Sequence, residues 1–182
     1  MTRRIVLTIA VAIAAVSCVR EARMANLTDT VAGLSAEQCL IMGETLDSCS
    51  MPKTYKDGSL ITSNLKWWCS GFFPGTCWYS WLLSGNEDVR SLAEKQTSRM
   101  LDVDSYYRDH DIGFQIMCSA GLAYKLTRDE RYLPSIKRAA ELLASRYSSV
   151  VGAIKSWDNN NYSYPVIIDN MMNLELPTFA AK

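Results

Sequence analysis

Hydrophobic and polar residues alternate along most of this chain with the 3.6-residue period of a helix, and they predict helices of two kinds. Residues 35–48 (SAEQCLIMGETLDS) form an amphipathic first helix. Residues 87–103 are amphipathic too, with Val89, Leu92, Ala93 and Met100 on one face and Arg90, Glu94 and Lys95 elsewhere. Residues 129–147 repeat the pattern with Ile136, Ala139, Ala140 and Leu143 as the stripe. Between them lie three segments apolar nearly all round: 76–84, 111–126 and 166–176. A helix that is apolar on every side must be buried on every side. The order buried, half-exposed, buried, half-exposed, buried predicts helical hairpins in a ring, the inner helices shielded by the outer ones. Pro74 and Gly75 mark the start of the first inner helix, and Gly85 marks its stop. The only candidate strand is the aromatic run at 67–73, which reads as loop, so the class expected is all-α.

An internal repeat supports the ring. WLLSGNEDVRSLA, from Trp81, matches YKLTRDERYLPSI, from Tyr124, at an offset of 43 residues. In each, an inner helix ends, a polar turn follows and an outer helix begins. The third inner segment runs into PTFAAK, and Lys182 takes the place Lys125 held one unit earlier. The chain is therefore expected to stop inside a repeat, as a fragment or an incomplete ring.

The amino terminus predicts a leader. Arg3 and Arg4 precede an apolar run from Ile5 to Val16, about 12 residues and so too short for a comfortable membrane span. It ends AAVSC, which resembles a lipoprotein cleavage box with Cys18 as the lipidated residue, although Ala15 stands where leucine is usual and ordinary cleavage remains open. The expected division is 1–18 signal peptide, 19–34 linker and 35–182 helical domain. Export to the periplasm or an outer-membrane anchor follows, with the membrane touched only through the lipid. The chain carries 19 basic and 19 acidic residues with no basic stripe or finger spacing, which argues against a nucleic-acid partner. One histidine and no CxxC among six cysteines predict no metal. Cys69, Cys77 and Cys118 sit in apolar contexts as small hydrophobes, and a Cys39–Cys49 disulfide is left open by the spacing.

Candidate chemistry gathers just ahead of the apolar helices. SYPVIIDNMMNLE sets Asp169 among Val166, Ile167, Ile168, Met171 and Met172. Desolvation there would raise a carboxyl pKa, as a general acid requires; the alternative is that Asp169 or Asn170 caps the next helix. RDHDIGFQIMCSAGLAYKLT sets Asp111 before the second apolar helix, and WWCSGFFPG sets Trp68 before the first. If the inner helices run parallel, Trp68, Asp111 and Asp169 meet on one rim.

At WCSGFFPG, HDIGF and PVIIDNMMNLE the chain resembles glycoside hydrolase family 88, the unsaturated glucuronyl hydrolases, over about residues 35–182. The resemblance implies an (α/α)6 barrel, of which this would be the N-terminal half, with the C-terminal half as its missing partner. It implies a substrate class too: lyase-generated oligosaccharides ending in a 4,5-unsaturated uronic acid, cleaved by hydration of the vinyl ether without a cofactor. Asp169 would protonate C4 and then activate water, while Asp111 would face the positive charge developing near C5. Two nearby carboxyls cannot both ionise cheaply, and Asp169, in the more apolar sequence context, is the one expected to hold the proton. Trp68 and Trp157 match aromatics that wall the family's pocket. His110 either orients Asp111, contacts substrate or is a helix-entry histidine satisfied by backbone. Asn170 and Asn173 supply hydrogen bonds to substrate or to structure. Leu176–Pro177 departs from the family pattern and is expected to kink or end the helix. The rival function is a non-catalytic, helical glycan-binding or scaffold lipoprotein that keeps these motifs for packing.

Overall fold

The computed structural model describes residues 2–102, 105 and 109–182, with side chains from residue 23 onward. Cys18, the candidate lipidated residue, lies outside the described side chains, and Val103, the expected end of the second amphipathic helix, lies outside the described residues. Helix α1 (Thr2–Thr45) is continuous through the segment expected as a linker. From Met24 to Leu34 it is largely exposed; its buried side begins at Ala32, and Ala36 and Cys39 join the core. Among the described residues, no helix is long and apolar enough to cross a membrane.

A hairpin follows that the all-α expectation missed: β1 (Ser50–Lys56) pairs antiparallel with β2 (Ser59–Asn64). Its cue was present in the sequence. Asp57 (φ 51°) and Gly58 (φ 77°) supply the two positive-φ positions of a two-residue turn whose twist matches the strands. The run 67–73 is a series of turns, as expected, and enters α2 (Phe72–Ser84).

The repeat is visible atom by atom. α2 ends at Gly85 and α5 (Leu122–Thr127) ends at Arg128, both in the left-handed conformation with φ of 67° and 59°. Their amides return to Trp81 O and Tyr124 O, each at 2.8 Å. Asn86 then caps α3 (Glu87–Ser98) through its side chain, as Asp129 caps the short 3-10 turn that leads into α6 (Leu133–Ala144). The second inner helix is one rod in three pieces: α4 (Ile112–Ile116), a π turn at Met117–Gly121, and α5. Its residues Ile112, Ile116, Ala120 and Ala123 are fully buried, as expected. Trp78, also fully buried, ties α2 to α3 by donating from Nε1 to Thr97 Oγ1 at 2.9 Å.

Residues 166–176 depart from the expected buried helix. The chain stays irregular to Asp169, turns through α7 (Asn170–Asn173), breaks at Leu174 and resumes as α8 (Glu175–Ala180). Ile168 is 88% exposed, and Met171 and Met172 are 66% exposed. Pro177 explains the break, as anticipated: without an N–H it cannot continue the ladder, and it fits in the first turn of a new helix. A two-residue pairing of β3 (Tyr147–Ser148) with β4 (Ala153–Ile154) precedes this segment.

Candidate active site

Asp111 and Asp169 both stand at helix starts, and neither side chain makes a capping hydrogen bond. A cap is the commonest work for an aspartate at such a position. Here both carboxyls are left free to face each other, which removes the capping alternative for Asp169. His110 joins them: its Nε2 lies 3.6 Å from Asp111 Oδ1 and 3.9 Å from Asp169 Oδ1. Two motifs whose acids lie 58 residues apart in sequence thus form one cluster.

Two asparagines build it. Asn170 donates from Nδ2 to Ile154 O at 2.7 Å and to Ser156 Oγ at 3.1 Å. Its Oδ1 is thereby turned toward His110 Nδ1, with which it is hydrogen-bonded. Because that oxygen only accepts, Nδ1 carries a proton, and in the neutral form of the ring the lone pair sits on Nε2, aimed at the carboxyls. Asn173 accepts from Phe114 N at 2.9 Å and donates to Asp169 O at 3.4 Å, fastening α7 to the start of α4. The close approach needs Gly113, where a Cβ would lie 2.3 Å from Asn173 Oδ1. Both asparagines therefore position the site through protein contacts.

Ser156 was not singled out from sequence, yet it organises this region. Fully buried, it accepts from His110 N at 2.8 Å, donates its own N–H to Pro165 O at 2.8 Å, and accepts at Oγ from Ile167 N at 3.1 Å. It locks His110 and the approach to Asp169 into one piece. No motif announces such a residue, because its role depends on three segments distant in sequence.

The burial order of the acids reverses the expectation. Asp111 has a side chain 18% exposed and Asp169 one 37% exposed. Burial pushes the Asp111 carboxyl up to about 6, the charge of His110 opposes this, and the charges of Asp109 and Asp169 add to it. The apolar neighbours of Asp169 in sequence are themselves exposed rather than wrapped around it. Asp169 Oδ1 is itself buried, with no hydrogen-bond partner among the described residues.

Aromatics border the cluster. Trp157 lies against His110 with ring centroids 5.9 Å apart. Trp68 reaches the same rim only through Phe114, at 6.4 Å, and through Phe72, at 5.5 Å. It also lines a cavity of about 470 Å³ beside Cys39 and Lys53, which neither carboxyl borders. Cys39 and Cys49, considered for a disulfide, are free thiols, one buried and one exposed. Burial pushes the Cys69 thiol up and Cys118 to about 11, as their apolar contexts suggested.

No family model matches the chain. It is 42% identical over 118 residues to an unsaturated glucuronyl hydrolase of Formosa agariphila, across 63% of this chain and 30% of that protein. It is 28% identical over 136 residues to an unsaturated chondroitin disaccharide hydrolase of Streptococcus pyogenes serotype M1, across 72% of this chain and 34% of that one. The crystal structure of an unsaturated glucuronyl hydrolase specific for heparin superposes with a TM-score of 0.80 at 36% identity, over 86% of this chain and 42% of that one. The chain spans about a third of the length of these curated relatives. Its helices form part of an (α/α)6 barrel.

Proposed function

We propose that this chain, which belongs to the unsaturated glucuronyl hydrolases over the part of their length that it spans, carries the acid–base pair of such an enzyme. The reaction is removal of a terminal 4,5-unsaturated uronic acid from a lyase-generated oligosaccharide. The observation that supports this most is the meeting of Asp111 and Asp169, uncapped, around the buried His110.

By the resemblance at IIDNMMN, Asp169 is the acid that gives a proton to C4 of the unsaturated ring, and Asp111, although the more buried of the two, is the one that must be ionised. The positive charge left on C5 and the ring oxygen faces Asp111, which is ionised above about pH 6. Water adds to C5 and returns its proton to Asp169. The hemiketal so formed opens, the old glycosidic bond breaks, and the shortened sugar departs. Trp157 packs on His110 and borders the site, and Trp68 offers a half-exposed face farther along the rim for the rest of the sugar. The relatives named above are described as acting on heparin-type and chondroitin-type substrates; the reading here commits to the unsaturated uronate they share.

The remaining wall of the pocket is assigned to further helices of the barrel. The leader with Arg3, Arg4 and Cys18 fits export, with a lipid on Cys18 as the only membrane attachment. The non-catalytic glycan-binding reading is separable by Asp169→Asn in the full-length product of the gene. A hydrolase loses roughly 10²- to 10⁴-fold in turnover, the usual contribution of a positioned acid, and still binds the unsaturated disaccharide by calorimetry. Turnover equal to that of the parent would overturn the role of Asp169.

A further inference from the structure

The arrangement that serves proton transfer has a second chemical capacity. Tetrahedral zinc with bonds of about 2.1 Å places its ligand atoms about 3.4 Å apart. The Nε2 of His110 and one carboxylate oxygen each from Asp111 and Asp169 all lie within 4.8 Å of one another. The two distances from Nε2, 3.6 Å and 3.9 Å, are beyond hydrogen-bond reach and close to that tetrahedral edge. Small rotations of the two carboxyls bring them to it.

Two features point to an occupant beyond mere proximity. His110 is 1% exposed, and its lone pair is directed at the carboxyls because Asn170 holds Nδ1 as the donor. This is how ligand histidines are oriented in metal sites, with the far ring nitrogen donating to a fixed oxygen. Asp169 Oδ1 is buried and, among the described residues, has no hydrogen-bond partner. An electron pair on nitrogen opposite two carboxyl groups is satisfied by a proton or by a cation, and the half-open side of Asp169 gives a cation its route in.

We propose that His110, Asp111 and Asp169 form a three-ligand site for a divalent transition-metal cation of the zinc class, and that its occupancy blocks the acid–base chemistry. The blocking half rests on the hydrolase reading above; the binding half does not. Zinc would take the electron pairs of both carboxylates and of Nε2, so Asp169 could neither hold nor deliver its proton. One coordination position remains for water. Imidazole favours zinc, cobalt or copper over magnesium and calcium, which prefer all-oxygen shells.

The test is titration of the full-length gene product with Co²⁺ alone, followed by visible absorption. The expected result is a d–d band from nitrogen and oxygen ligands, with no sulfur-to-cobalt charge-transfer band. It should be displaced by Zn²⁺, unaffected by Mg²⁺, and weakened at least tenfold in affinity by either Asp169→Asn or Asp111→Asn. The Asp169 side chain is 37% exposed, so its variant is the one expected to fold without loss. Binding unchanged in both variants overturns the proposal. So does a sulfur charge-transfer band, which would assign the metal to the buried thiols of Cys39 and Cys77. No band at millimolar Co²⁺ overturns it as well. In the second arm, Zn²⁺ should lower turnover of an unsaturated uronide competitively, with recovery on chelation. Co²⁺ binding without any turnover would sink the hydrolase reading and leave the site standing. Turnover indifferent to saturating Zn²⁺ would sink the blocking half.

Discussion

Two aspartates whose carboxylate oxygens lie within 4.8 Å of each other differ because of what lies behind them. Asp111 sits deeper, and burial holds its carboxyl at about 6, against 3.8 for an unperturbed aspartate. A raised acid pKa means the folded state keeps a proton that the unfolded state has already lost. The associated stability is therefore fully present below about pH 4 and is lost as pH rises through about 6. Asp111→Asn carries no charge to bury, so its stability relative to the parent should climb between pH 4 and pH 7 while turnover collapses. Urea midpoints at the two pH values measure this; a variant less stable than the parent by the same margin at both would contradict it. That HDIGF and IIDNMMN bring Asp111 and Asp169 to one place was legible from their positions ahead of the apolar helices. Their relative burial was not. Ile168, Met171 and Met172 look like an apolar wrapping around Asp169 in sequence, yet they point to solvent. Sequence adjacency measures neighbours along the chain, whereas desolvation depends on neighbours in space.

At the scale of elements, the site depends on how closely α7 lies on α4. Gly113 permits the approach, since a Cβ there would stand 2.3 Å from Asn173 Oδ1, 2.7 Å from Asn173 Cβ and 2.8 Å from Asn173 Cα. Backbone and a buried side chain both obstruct it, so Gly113→Ala must push α7 away. Overpacking of this kind costs about 1–3 kcal/mol. It also separates Asp169 from Asp111, so turnover should fall further than the stability loss alone accounts for. Denaturant midpoints read beside kcat check this; full activity in a destabilised variant would show that the spacing of the acids does not depend on this contact. The helices themselves could be read from hydrophobic period, and the 43-residue offset recurs in matching left-handed caps and polar N-caps at Asn86 and Asp129. The hairpin at Ser50–Asn64 was missed because its strands are short and mostly polar, and a helical period in the flanking segments outweighed the Asp57–Gly58 turn. The break at Leu174 could be foreseen from Pro177, but the loss of regular helix before Asn170 could not.

For the whole molecule, the residues that read as inner helices do not all find cover. Tyr79, Leu82 and Leu83 on α2 are each more than half exposed, as are Ile168, Met171 and Met172 around α7. Apolar surface of that extent marks an interface in a soluble protein. Residues 19–182 alone should therefore bind a hydrophobic dye and elute from a sizing column ahead of the monomer position. A sharply melting monomer with no dye response would contradict this. The superposed relative is more than twice as long as the part matched here, and such faces are where further helices of a barrel would pack. The central claim is that these carboxyls hydrate a vinyl ether, and the ultraviolet absorbance of the C4=C5 double bond reports on it directly. With the full-length gene product and an unsaturated disaccharide, absorbance should vanish in step with release of the shortened sugar and persist with Asp169→Asn. Release of the sugar with the absorbance intact would mean cleavage at the anomeric carbon, and it would contradict the account.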